Sequence, residues 1–198
     1  MKNYSYLHKK FLLTGVLAVF ILSTVTGQTS QDNWLVGGAG NFYFTEYKTE
    51  NSTYNPFATT ITLSPLIGYF VKNNFVIGMK PSFSYRRAPG SDNDFGSYMR
   101  SYTIGPLLRY YFLPPDKEFN LFAQGDFQYG VEYGGNEAQR GSVSQTSYSF
   151  LAGPVIFLNS SIGVEFTAGY SAFRNVKFGK SNEKFQLGIG FQIHLKKQ

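Results

Sequence analysis

The sequence predicts an all-β protein, an up-and-down antiparallel transmembrane β-barrel of about eight strands, preceded by a cleaved signal peptide. Three observations support this fold class: a basic and then apolar leader, apolar–polar alternation through nearly all of the remaining chain, and alternating segments longer than ordinary strands. Together they predict a signal peptide over residues 1–27 and one barrel domain over residues 28–198.

The leader has the three parts of a signal peptide. Lys2, Lys9 and Lys10 precede an apolar stretch from residue 11 to residue 25, and small or polar residues follow it up to Gly27. We expect cleavage near Gly27. A membrane-anchoring helix is the alternative, but the apolar stretch is shorter than the roughly 20 residues that such a helix needs.

The composition favours β-structure and excludes several functions. Aromatic residues make up 18% of the 198 residues and charged residues 15%, below the usual charged share of about 25%. The chain has no Cys, which excludes disulfides, thiolate metal sites, cysteine nucleophiles and a lipoprotein anchor. Its net charge is +6, but the basic residues do not cluster, so we do not predict nucleic-acid binding.

Eight segments alternate with the two-residue period of a strand that has one apolar and one polar face. They are Trp34–Tyr47, Thr59–Val71, Phe75–Arg86, Tyr98–Phe112, Asn120–Tyr133, Thr146–Leu158, Ser161–Ala172 and Lys184–Leu195. Ordinary strands have about 5–6 residues, whereas a transmembrane strand needs about 9–11. Their length therefore favours strands that cross a membrane.

The connections are predicted to alternate between short turns and long loops, as in outer-membrane barrels. The short turns are Lys72–Asn74, Leu113–Glu118 and Asn159–Ser160, and the long loops are Lys48–Ala58, Arg87–Ser97, Gly134–Gln145 and Phe173–Glu183. Three related strings, around Pro65, Pro106 and Pro154, end strands just before short turns. Because proline cannot donate a backbone hydrogen bond, we expect local bulges or positions near a strand end at these prolines.

The two faces differ in a way that favours a membrane. The polar face is mostly Gly, Ser, Thr, Gln and Asn, which suits the narrow interior of an eight-stranded barrel. The apolar face is aliphatic in mid-strand and aromatic toward the strand ends, as expected of girdles at the bilayer interfaces. The aromatic positions are Tyr69–Phe70, Tyr85, Tyr110–Phe112, Tyr129, Tyr133 and Tyr170. A soluble secreted β-barrel that binds an apolar ligand is the alternative.

From Trp34 to Leu195 the chain resembles the outer-membrane β-barrel domain family, the small class that includes OmpX and the membrane part of OmpA. The residues that carry the resemblance are Trp34–Gly38, Ile67–Val71, Asn74–Gly78, Gly105–Phe112 and the alternating last strand, in a combination similar to versions from Bacteroidetes. The resemblance implies an outer-membrane location and recognition by the outer-membrane assembly machinery. Such proteins often end on an aromatic residue, whereas this chain ends Leu-Lys-Lys-Gln.

The ionisable residues of the polar face are the candidate site. They are Lys80, Arg86, Arg109, Asp126, Glu132 and Glu165, together with His194. A proton path or a hydrolytic site would use them chemically, but charges of both signs in a confined space are expected to pair with each other. We therefore predict a structural charge network in the lumen, in which Arg109 pairs with Asp126 or Glu165.

No enzyme, cofactor or metal site is predicted. His194 is the one histidine of the mature chain, and no serine and acid accompany it in a recognisable catalytic set. Asp92 and Asp94 resemble part of a calcium loop but lack the remaining ligands. The loops also carry basic residues that could contact lipopolysaccharide phosphates, or that are simply solvated. These are Arg87, Arg140, Arg174, Lys177 and Lys180.

The main functional hypothesis is an integral outer-membrane protein with a structural or surface-interaction role and a lumen filled by side chains. Its predicted partners are outer-membrane lipid, lipopolysaccharide, the assembly machinery and an external ligand or protein that contacts the long loops. A narrow channel or transporter for small solutes is the second hypothesis, and the soluble ligand-binding barrel is the third.

Overall fold

The structure, a computed structural model, describes residues 28–46, 57–88, 96–135, 140–176 and 181–196. These residues form ten strands and no helix. The strands are β1 (Trp34–Glu46), β2 (Phe57–Lys72), β3 (Phe75–Met79), β4 (Ser82–Ala88), β5 (Ser97–Ile104), β6 (Pro106–Tyr111), β7 (Phe119–Gly135), β8 (Arg140–Phe157), β9 (Ile162–Asn175) and β10 (Ser181–Leu195). No helix long and apolar enough to cross a membrane occurs in the described part of the chain. The predicted leader lies outside it.

The ten strands form one closed antiparallel barrel. Its wall has eight positions, each filled by one strand or by two strands in line, and we call these positions staves. Strands β3 and β4 both pair with β2 and form one interrupted stave, and β5 and β6 both pair with β7 and form another. Strand β1 pairs with β2 on one side and with β10 on the other, which closes the sheet. The other staves pair with their neighbours in chain order. The predicted all-β, up-and-down fold of about eight strands is confirmed.

The prediction was wrong for Pro65, which lies within β2 without a bulge, and right for Pro154, which lies near the end of β8. Leu63 pairs with Phe83 and Ile67 with Met79, so the unshifted register places Pro65 opposite Pro81 in the gap between β3 and β4. Neither proline has an N–H to donate, so the ladder loses pairs there but keeps its register. The pairing of β8 with β9 is likewise unshifted across Pro154. Pro106 begins β6, at a strand end as predicted.

Two of the four predicted long loops are mostly strand. β7 continues to Gly135 and β8 begins at Arg140, while β9 continues to Asn175 and β10 begins at Ser181. These segments are polar and rich in small residues, but backbone pairing does not require apolar side chains, so the hairpins extend beyond the apolar band. We call this end of the barrel the loop end and the opposite end, with the short connections, the turn end. Residues 47–56 and 89–95, which make up most of the other two predicted loops, lie outside the described residues.

The predicted faces are those of the structure, with two exceptions. Phe70 and Tyr111, predicted as part of the outer aromatic positions, are 0% exposed and lie inside the barrel. Their strand neighbours Tyr69 and Tyr110 face outward, and successive side chains of a strand must point to opposite faces. The two aromatic runs therefore contribute to both surfaces.

Glycines on the inner face let neighbouring strands approach closely. A β-carbon on Gly105 would lie 1.8 Å from the carbonyl oxygen of Phe127 on β7, and one on Gly153 would lie 1.8 Å from that of Phe166 on β9. A barrel of eight strands is narrow and strongly curved, so the wall is compressed on its inner side. These positions leave no space for a side chain.

We expect Gly105→Ala to lower the free energy of unfolding by about 1–3 kcal/mol, because the added methyl group displaces backbone on the neighbouring strand. Gly141→Ala is the matched control, since a β-carbon there meets nothing within 4 Å. Urea titration of both variants in detergent micelles, followed on gels as loss of the folded band, measures the difference. Equal midpoints for the two variants would contradict the close approach at Gly105.

Candidate functional site in the barrel lumen

Arg109 is the centre of a buried polar network inside the barrel. It is 2% exposed, and its guanidinium pairs with Glu165, with Nη1 2.7 Å from Oε2. The same group donates to Oε1 of Gln124 from Nε at 2.9 Å and from Nη2 at 2.5 Å, and to Oε1 of Gln192 at 3.0 Å. The hydroxyl of Tyr111 also donates to Oε1 of Gln192, at 2.6 Å. One arginine thus links four staves: its own, β5–β6, and β7, β9 and β10 through Gln124, Glu165 and Gln192.

A second ion pair joins Lys80 to Asp126, with 2.8 Å between Nζ and Oδ1. The carboxylate of Asp126 also accepts hydrogen bonds from Ser149 at 2.6 Å, Gln124 at 3.2 Å and Gln128 at 3.3 Å. Gln124 therefore lies between the two ion pairs, accepting from Arg109 and donating to Asp126. Several donors share the negative charge of Asp126, so it is compensated away from water.

The structure brings the six predicted residues together as three oppositely charged pairs. Besides Arg109 with Glu165 and Lys80 with Asp126, Arg86 lies close enough to the half-buried Glu132 to attract it electrostatically. Of the two partners predicted for Arg109, Glu165 contacts it directly, whereas Asp126 is reached through the side chain of Gln124. Gln124 and Gln192 were not among the predicted site residues, although both lie on the polar face.

An apolar cluster fills the lumen at the turn end, and the alternation pattern did not predict it. Its members are Leu35, Leu66, Phe70, Val76, Leu107, Tyr111, Phe122, Val155 and Phe157. The ring of Phe122 also lies 4.2 Å below the Arg109 guanidinium, which joins the cluster to the polar network. The signal was present in the sequence: uninterrupted apolar runs such as residues 155–158 cannot place every side chain on the outer face of a strand.

The segment Gln28–Asn33 lies under this cluster and covers the turn end. The backbone N–H of Asn74 donates to the carbonyl of Thr29 at 2.7 Å, and the Thr29 hydroxyl donates to Oδ1 of Asn74 at 2.5 Å. Nδ1 of His194 lies 2.5 Å from the carbonyl oxygen of Gln28. Gln28, Thr29 and His194 are buried. The lumen is therefore closed at this end by side chains and by the segment beneath them.

His194, the one histidine among the described residues, is a packing residue of the apolar cluster. The ring of His194 is surrounded by aromatic rings, with the centroids of Phe70, Tyr111 and Phe157 at 5.4, 6.2 and 5.1 Å. Its Nδ1 forms a hydrogen bond with the backbone carbonyl of Gln28. No group of three or more metal-ligating side chains occurs in the described ranges. The charged groups contact each other and neutral amides, an arrangement that ties staves together.

Comparisons with solved structures find the same architecture. The outer membrane protein OprG of Pseudomonas aeruginosa is similar with a TM-score of 0.50 at 9% identity, covering 87% of this chain and 100% of its own. Neisserial surface protein A has a TM-score of 0.48 at 12% identity, over 81% of this chain and 96% of its own. The N-terminal β-barrel domain of Pseudomonas aeruginosa OprF has 0.46 at 13%, over 83% and 98%.

No protein-family model matches the chain, and no curated protein matches it. The likeness to OprG shows the fold, that of a small outer-membrane β-barrel.

Proposed function

We propose that this chain is an integral outer-membrane β-barrel protein with a structural or surface-interaction role and a lumen filled by side chains. The observation that carries the proposal is the outer face. Large apolar side chains stand exposed around the whole barrel, including Phe150, Leu187 and Phe191. Water-soluble proteins rarely expose an apolar surface of that extent, whereas a bilayer requires it. Inside the barrel, the cations Lys80 and Arg109 are paired with the carboxylates of Asp126 and Glu165.

Aromatic residues near both ends of the barrel support the same placement. Trp34, Tyr69 and Tyr110 face outward near the turn end, and Tyr85 and Tyr133 near the loop end. Trp and Tyr favour the two membrane interfaces, and outer-membrane barrels have short turns on the periplasmic side. We therefore place the turn end in the periplasm and the loop end at the cell surface.

The proposal is tested by gel mobility together with fractionation. The mature protein, folded in detergent, should migrate as a compact band in mild SDS and shift to its full apparent mass after boiling. The expressed protein should appear in the outer-membrane fraction. Protein recovered in the detergent-free soluble fraction, with no heat-dependent shift, would overturn the proposal and favour a soluble ligand-binding barrel.

Several finer parts of the proposal follow from the sequence. They are a signal peptide over residues 1–27, recognition by the assembly machinery, contact with lipopolysaccharide, and an external ligand or protein at the loop end. We propose no enzymatic activity, no cofactor and no nucleic-acid partner. Relatedness to the Bacteroidetes versions of the family stays a prediction.

A narrow channel is the second hypothesis, and the packing of the lumen disfavours it. The buried network around Arg109 crosses the lumen, and the apolar cluster closes the turn end. We expect the folded protein in planar lipid bilayers to give no discrete conductance steps above those of the same protein after boiling. Steady, reproducible steps from the folded protein alone would contradict the filled lumen and support transport.

A further inference from the structure

Two arginines face outward side by side at the loop end of β4 and β5. Tyr85 pairs with Arg100 and Arg87 pairs with Tyr98, so the arginines are diagonal neighbours on one face, about 7–8 Å apart and somewhat closer at their β-carbons. The Arg100 guanidinium lies 5.8 Å from the ring centre of Tyr85 and 5.4 Å from that of Tyr98. We call Arg87 and Arg100 the arginine pair. The two tyrosines hold the Arg100 side chain against the barrel wall.

The arginine pair differs from the inward cations in its ion pairs within the described part of the chain. Arg109 and Lys80 each contact a carboxylate, whereas no carboxylate among the described residues forms an ion pair with Arg87 or Arg100. Both side chains are exposed. Among the described residues, these two guanidinium groups at the rim of an otherwise apolar outer surface therefore carry positive charge with no carboxylate paired to it, at the level of the aromatic girdle.

A shallow apolar groove begins at Arg100 and descends the outer wall. It is lined by Ile61, Leu63, Phe83, Ser84, Tyr85, Arg100 and Tyr102. Its residues form two neighbouring rows across β2, β4 and β5. One row is Ile61, Tyr85 and Arg100, and the other, nearer the middle of the barrel, is Leu63, Phe83 and Tyr102. Charge stands at the top of this groove and apolar surface below it, which is the order of a lipid headgroup and its chain.

We infer that the arginine pair and the groove bind a phosphorylated glycolipid of the outer leaflet, of the lipopolysaccharide type. A phosphate monoester lies against the two guanidinium groups, and an acyl chain lies along the groove. Guanidinium groups donate paired hydrogen bonds to phosphate oxygens, and two of them match the nearly two negative charges of a monoester better than the single charge of a phosphodiester. The inference rests on the proposed membrane placement, which puts this rim at the outer headgroups.

The test uses the full mature chain in phosphatidylcholine nanodiscs that contain a minor lipid. The minor lipid is diphosphoryl lipid A, lipid A with both phosphates removed, or phosphatidylglycerol. Native mass spectrometry counts the minor lipid that stays with the released protein. We expect retention of diphosphoryl lipid A at least about tenfold above the other two. R87Q/R100Q should lower that retention to the level of the dephosphorylated lipid.

The matched control is K72Q/K117Q, which removes two exposed cations at the turn end, and it should retain the lipid within about twofold of wild type. Equal loss in both double variants, or no loss in either, would overturn the inference, and so would equal retention of phosphatidylglycerol. Inorganic phosphate at millimolar concentration should not compete, since the acyl chain is part of the ligand. Heat-dependent gel mobility of each variant reports the barrel separately, so failure to insert would count against the proposed function and not against this site.

Discussion

Replacing Arg109 by methionine should lower the free energy of unfolding by about 3–5 kcal/mol. The substitution leaves the carboxylate of Glu165, 4% exposed, without its cation inside the barrel. Gln124 and Gln192 lose their charged donor at the same time. An uncompensated buried charge costs far more than the lost attraction of the pair itself. Urea unfolding in lipid vesicles, followed by intrinsic tryptophan fluorescence, measures the change.

A double-variant cycle separates the buried charge from the lost packing. E165L alone should cost about as much as R109M, and R109M/E165L should be clearly more stable than the sum of the two losses predicts, because neither charge remains. Lys80→Met is the matched control. In that variant Asp126 still accepts hydrogen bonds from Ser149, Gln124 and Gln128. Lys80→Met should therefore lower the free energy of unfolding by less, about 1–2 kcal/mol. If R109M lowers the free energy of unfolding by less than Lys80→Met does, a central role of Arg109 is contradicted.

The strands and their faces were predictable because a two-residue period needs nothing beyond the local sequence. Arg109 and Glu165 could be placed on the inner face for that reason. Which carboxylate contacts which cation was not predictable to the same degree. It depends on the register of each stave against its neighbour. The register differences add up over the staves that lie between residues 109 and 165. Asp126 and Glu165 were both predicted as partners of Arg109, and the observed register places Glu165 in direct contact with it.

The apolar cluster shows a second limit of the pattern. Alternation assigns one residue in two to each face, so a run with apolar residues on both faces is ambiguous. Phe70 and Tyr111 belong to such runs. They were predicted on the outer face with their neighbours, but they lie in the lumen. The segment Gln28–Asn33 that covers them is polar and has no period, so its burial follows from contacts that the sequence pattern does not contain. The turn end of the lumen therefore became visible in the three-dimensional arrangement.

Leu187→Arg should discriminate most directly between a membrane and water around the barrel. Leu187 is 75% exposed and lies near the middle of β10, so it makes few contacts inside the protein. In a bilayer the arginine would lie in hydrocarbon and lower the free energy of unfolding by about 2–4 kcal/mol. In a soluble barrel the same exposed substitution should change it by less than about 0.5 kcal/mol.

The control for that substitution is Phe57→Arg, at the first residue of β2 and the loop end of the barrel. There an arginine reaches the headgroups, and its cost should fall to about 0–1 kcal/mol. Reversible unfolding from lipid vesicles gives both values under one condition. A depth-dependent difference between the two positions follows from lipid contact alone, since both side chains are more than half exposed in the structure. Equal and small losses in the free energy of unfolding at both positions would mean that the apolar outer face contacts another protein surface or water. The outer-membrane proposal would then be wrong, since the apolar outer face is its main support.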